Sequence, residues 1–170
     1  MAEPGLMNVT DNLSRRPVTI IGVDPGKSCG MATLTDGRLS YVFQGPAPTM
    51  LDSLRTQVAR AQGAVTVACE RYVVYPKRYM HQPDTLEVIG AVKLICGDLG
   101  VDLVLQYARD AKKLASNDRL RDLGMFVGLD EVNTPDADDV RDAVRPALLR
   151  LALDHTAIYE RLLSHSRSPA

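Results

Sequence analysis

The run "VTIIGVDPG" at residues 18–26 constrains this chain more than any other stretch. Its β-branched and apolar residues read as a strand over 17–24, buried on both faces. The strand ends on a carboxylate, Asp24, and the next two residues, Pro25 and Gly26, fix a turn that aims it. A second apolar run, "AVTVACE" at 64–70, also ends on an acid, Glu70. In α/β sheets ligands bind outside the carboxyl ends of the strands, which is where both acids fall.

The segments between these runs supply the rest of a layered α/β domain. A second strand is expected at about 29–35 and a third at about 38–44, joined through Asp36-Gly37, a strong hairpin turn signal. Residues 49–62 read as an amphipathic helix that Gly63 ends, and 83–98 as a second helix with Pro83 and Asp84 in its first turn. A fifth strand is expected at 101–107 and short helices between 109 and 123. A last long helix is expected to start at "NTPDADD" and run past Leu151, with a kink at Pro146. The order predicts five strands in one mixed sheet flanked by helices. A right-handed crossover would lay strand 64–70 parallel to strand 17–24 and beside it, so that Asp24 and Glu70 converge.

The 170 residues suit one domain, expected over 17–163, with flexible tails at 1–16 and 164–170. No run is long enough for a membrane span and no apolar leader opens the chain. Cys29, Cys69 and Cys96 are odd in number, widely spaced and set in apolar segments, which predicts reduced, buried thiols in a cytoplasmic protein. A phosphate loop is excluded: G-x-x-x-x-G-K-[ST] does not fit Gly22 and Gly26, which enclose only three residues. Pro25 also has no N–H to give a phosphate, and Asp24 would repel one.

A third acidic group lies in "TPDADDVRDAV". Asp139 and Asp142 are three apart and share a helix face. Asp136 with Asp139, or Asp138 with Asp142, also fit helical spacing, although Asp136 suits a helix start behind Thr134 and Pro135. Carboxylates gathered at an edge repel one another unless a cation intervenes. Hard oxygen ligands suit Mg²⁺, with Mn²⁺ as substitute. Two such ions about 4 Å apart can activate water and stabilise the leaving oxygen of a phosphodiester.

The ordered set of strand–Asp, hairpin, helix, strand–Glu and helix with paired Asp resembles the RNase H-like nucleases. Within them it is similar to the RuvC-like Holliday-junction resolvases of bacteria and their phages. The family's strand–G-[IV]-D-P-G opening is matched by "IIGVDPGKSCGMATL", its second acid by "TVACERYVV", and its D-x-x-D-A pattern by "DVRDA". The resemblance spans about residues 18–152 and implies an RNase H-like fold and a homodimer that hydrolyses four-way DNA junctions with two Mg²⁺ ions. Asp24, Glu70, Asp139 and Asp142 would be the metal ligands and catalytic acids. A nuclease for another structured DNA or RNA, or an inactive junction-binding module, would fit the same residues.

Net charge is only −1, so DNA contact must come from local clusters. After Glu70, Arg71, Lys77, Arg78 and His81 are interleaved with Tyr72, Tyr75 and Tyr79. Cations of this kind bind phosphates, and the rings stack on unpaired bases. A second cluster holds Arg109, Lys112, Lys113, Arg119 and Arg121, in which Lys112 or Lys113 would steady charge on a phosphate. On helix 83–98, Val88, Ile89, Val92 and Ile95 form one stripe while Leu86 and Leu94 lie elsewhere, which suggests a partner subunit.

Overall fold

In a computed structural model, residues 16–73, 83–126 and 137–166 are described. Strands β1 (Val18–Asp24), β2 (Ser28–Thr35) and β3 (Arg38–Pro46) form a meander. Helix α1 (Ala47–Arg60) leads to β4 (Ala64–Glu70), and α2 (Pro83–Leu99) leads to β5 (Asp102–Gln106). Helices α3 (Ala108–Leu114), α4 (Asn117–Asp122), α5 (Ala137–Asp154) and α6 (Thr156–Ser166) complete the chain. The sheet order is β3-β2-β1-β4-β5. β1 runs antiparallel to β2 and parallel to β4, and β4 runs parallel to β5. This is the five-stranded mixed sheet expected from the sequence, in an RNase H-like arrangement, with β4 beside β1.

Strand alternation divides the core into two layers. Ile20, Ala32, Leu34 and Ala68 face α5 and α6. Ile21, Val23, Met31, Val67 and Cys69 face α1 and α2, where Val88, Ile89, Val92 and Ile95 are buried as the helical stripe predicts. All three cysteines are free and buried. Burial pushes the Cys96 thiol up to about 11.

Several boundaries differ from the sequence reading for physical reasons. α1 ends at Arg60, with Ala61 already extended. Gly63 therefore does not stop the helix; a Cβ there would strike the carbonyl oxygen of Pro17 at the entry to β1. The last long helix runs past Leu151 as expected, and a further helix follows it. α5 runs unbroken across Pro146 and stops at Asp154, after which α6 turns Ile158 and Leu162 onto the hairpin at Gly37. Ser164, His165 and Ser166 are the last turn of α6. Asp36 (φ 48°) and Gly37 (φ 80°) form the expected tight turn. The Asp36 side chain also accepts a hydrogen bond from the Val18 N–H at 3.0 Å, which ties the turn to the start of β1.

The contact that matters most for the site is between α5 and the sheet. A Cβ on Gly22 would collide with the carbonyl of Ala143, and one on Gly30 with the carbonyl of Asp139. At these two points the helix backbone rests directly on the strands, with no side chain between. Gly30→Ala should lower stability by about 3 kcal/mol, the upper end of overpacking costs, because the obstacle is backbone. Urea denaturation measures this, and an unchanged midpoint would contradict the close approach.

Candidate active site

β1 and β4 are paired Val23 with Cys69, so Asp24 and Glu70 leave adjacent strands at the same level. Even-numbered positions of both strands face α5, as Ile20 and Ala68 show. Asp24 is paired with Gly30 across β1 and β2. The Asp139 backbone lies on Gly30, so the first turns of α5 arrive over the end of β1. The turn that follows Asp24 is pinned by the Cys29 thiol, which donates to the Gly26 carbonyl at 3.2 Å.

Electrostatics carry the signature of crowded carboxylates. Burial raises the Asp24 carboxyl from its ordinary 3.8 to about 8, with Glu70 and Asp139 adding repulsion and Lys112 and Arg145 opposing it. Glu70 is also raised by burial and pulled back by the same two cations. Asp142 is turned onto those cations: Lys112 Nζ lies 3.1 Å from its Oδ2, and Arg145 Nη1 donates to its Oδ1. Arg145 is fixed further by the Ala115 carbonyl at 3.1 Å and Asn117 Oδ1 at 2.6 Å. Asp138 is paired with Arg141, whose guanidinium lies 4.8 Å from the Phe126 ring centroid. Asp138 is thus held by a different cation from the two that hold Asp142.

The donor set is all oxygen, which fits Mg²⁺ or Mn²⁺ rather than a soft metal. It is not closed in this state. Among the described residues no three His, Cys, Asp or Glu groups are gathered so as to hold an ion.

Of the expected DNA contacts, Tyr75, Lys77, Arg78 and Tyr79 lie outside the described residues. Arg71 is exposed and donates to the Tyr107 hydroxyl at 3.2 Å, with its guanidinium 5.5 Å from that ring's centroid. Arg109 lies 5.7 Å from the same centroid. Tyr72 is half-buried and packs on the α1/α2 core layer, so packing claims part of its ring. Lys112 turns to the carboxylates while Lys113 is exposed.

Sequence reasoning missed Arg145, although its spacing of three from Asp142 was a readable pairing signal. It also missed Tyr107, whose link to Arg71 requires β4 and β5 to be neighbours.

The raised Asp24 group has a consequence for pH. Between about 4 and about 8 the folded, metal-free chain holds a proton on Asp24 that the unfolded chain has lost. Stability from this group is therefore complete below its ordinary value and declines as pH rises to about 8. Thermal melts in chelator should show that decline, and Asp24→Asn should flatten it and raise the melting temperature at pH 8. A mutant melting lower at pH 8 would contradict the crowding.

No protein-family model matches the chain, and no curated protein sequence does. Solved structures do match in fold. One is Thermus thermophilus RuvC in complex with a Holliday junction substrate: TM-score 0.57, 20% identity, covering 85% of this chain and 96% of that one. Another is a Thermus thermophilus RuvC structure with TM-score 0.51 and 21% identity over the same shares. At such identity the likeness establishes a shared RNase H-like fold over most of both chains.

Proposed function

We propose that this chain is a metal-dependent endonuclease that resolves four-way DNA junctions. One observation carries the reading: Asp24 and Glu70 end neighbouring parallel strands with Asp139 near them on α5, and burial, with repulsion from Glu70 and Asp139 added to it, raises Asp24 to about 8. A fold that stabilised only itself would not keep that repulsion. The fold is the one adopted by a RuvC bound to a Holliday junction, which favours branched DNA as substrate.

Asp24, Glu70, Asp139 and Asp142 would hold two divalent cations, which supply charge neutralisation and an activated water for phosphodiester hydrolysis. Asp24 and Glu70 are fixed by the sheet, and the acids of α5 are fixed by the helix resting on Gly22 and Gly30. Lys112 would release Asp142 and turn to the scissile phosphate, a movement its half-exposed side chain permits. Arg145, half-buried and held at three points, would stay and keep Asp142 oriented. Arg71, Tyr107, Arg109 and Lys113 offer cations and an aromatic face beside the same sheet edge, suited to phosphates and unstacked bases. The basic, tyrosine-rich stretch with Tyr75, Lys77, Arg78 and Tyr79 would extend that surface.

The direct test is cleavage of a mobile four-way junction beside duplex, flapped and RNA substrates. Junction cutting should vanish in EDTA and return with Mg²⁺ or Mn²⁺. Asp24→Asn, Glu70→Gln, Asp139→Asn and Asp142→Asn should each lower it by orders of magnitude, whereas Asp138→Asn, paired away from the cluster, should leave it nearly intact. Normal cutting by Asp24→Asn would end the nuclease reading. Preference for flap or RNA would keep the chemistry and change the substrate.

A two-fold junction with two scissile strands matches a two-fold dimer. Leu86 and Leu94 are 53% and 64% exposed on α2, and nothing lies within 4 Å of where a Cβ on Gly90 would stand. Such a face admits a second helix at close range. Leu86→Gln with Leu94→Gln should give monomers by light scattering, with stability changed by no more than about 0.5 kcal/mol. A monomeric unaltered chain at micromolar concentration, cutting junctions normally, would contradict the dimer.

A further inference from the structure

Gln106 ends β5, the third parallel strand, directly beside Glu70 in the sheet register. Leu103 and Leu105 face the α1/α2 layer, so alternation turns Gln106 to the α5 face, where Asp24 and Glu70 also point. Three polar residues thus close the carboxyl ends of β1, β4 and β5 on one side of the sheet. Gln106 is only 8% exposed, and neither its Oε1 nor its Nε2 has a hydrogen-bond partner among the described residues. A buried carboxamide with both ends unmet destabilises a fold, and a residue that did nothing else would be better replaced by a methionine of similar length. An orphaned polar group of this kind at an active-site edge calls for a partner that arrives with function.

Neighbouring strands are about 4.8 Å apart, so the amide stands within side-chain reach of the Glu70 carboxylate. Its two ends have opposite hydrogen-bonding character. Nε2 can donate to a carboxylate oxygen that also binds a cation, while Oε1 can accept from water in that cation's hydration shell. We infer that Gln106 is a positioning residue of the site, its buried carboxamide bridging the Glu70 carboxylate and a water of hydration of the divalent cation. The inference rests on the metal-dependent reading above. It assigns Gln106 no contact with the reacting phosphorus: the residue acts through Glu70 and through the water.

The test uses the full chain without DNA, titrated with Mn²⁺ by calorimetry, together with thermal melts in chelator. The unaltered chain should bind Mn²⁺, and Asp24→Asn should abolish binding. Gln106→Met should weaken Mn²⁺ binding about 10-fold, as loss of an outer-shell hydrogen bond to a metal ligand does. The same variant should melt about 2–4 °C higher in chelator, because an unmet buried polar group has been removed. A purely structural glutamine would give the reverse on melting. Gln106→Glu, which loses the donor to Glu70 and sets a second carboxylate beside it, should melt lower in chelator at pH 8 than the unaltered chain. Unchanged affinity in Gln106→Met, with Asp24→Asn still abolishing binding, would overturn the inference alone. No Mn²⁺ binding by the unaltered chain would overturn the metal-dependent reading as well.

Discussion

The whole site depends on the direct seating of α5 on the strands. Gly22 and Gly30 remove the side-chain layer that separates a helix from a sheet elsewhere in this fold, and the carbonyls of Ala143 and Asp139 occupy the space. That contact sets the height of the helix over the sheet to within the length of one methyl group. It brings the acids of α5 to the ends of β1 and β4. A larger residue at either glycine would lift the helix and separate the carboxylates, whatever their sequence spacing.

Crowding has a cost, and the surrounding cations meet it in two ways. Arg145 is a fixed brace, bound to Asp142, Ala115 and Asn117. Lys112 is half-exposed and holds Asp142 through a single contact at 3.1 Å. Both also act on Asp24 and Glu70, holding down carboxyls that burial raises. The carboxylates are thus partly neutralised by one cation held at three points and one held through a single contact. Such an arrangement offsets part of the repulsion among the carboxylates.

Much of this was legible in the sequence. The strands ending on Asp24 and Glu70, the Asp36-Gly37 turn and the buried stripe of α2 follow from short-range pattern, and each is where periodicity puts it. The pairing of β4 with β1 followed from crossover handedness. Less was legible where a residue's role depends on a distant partner. Gly63 reads as a helix stop and is instead a point of backbone contact with Pro17. The break after Asp154 carries no proline or glycine; it arises because Ile158 and Leu162 find the hairpin turn.

The sequence by itself determined the order of elements and the residues able to do oxygen-ligand chemistry, because β-branched runs, turn residues and helix spacing act over a few positions. Tertiary structure decided which of the several acids on α5 face one another. Asp138, Asp139 and Asp142 share one short acidic run, yet Asp138 goes to Arg141, Asp142 to Lys112 and Arg145, and Asp139 adds to the repulsion on Asp24. It also decided that Gln106, an ordinary strand-end residue by pattern, is buried beside Glu70 with its amide unmet. Those outcomes depend on the angle and height at which a helix meets a sheet, and residues far apart in the chain set both.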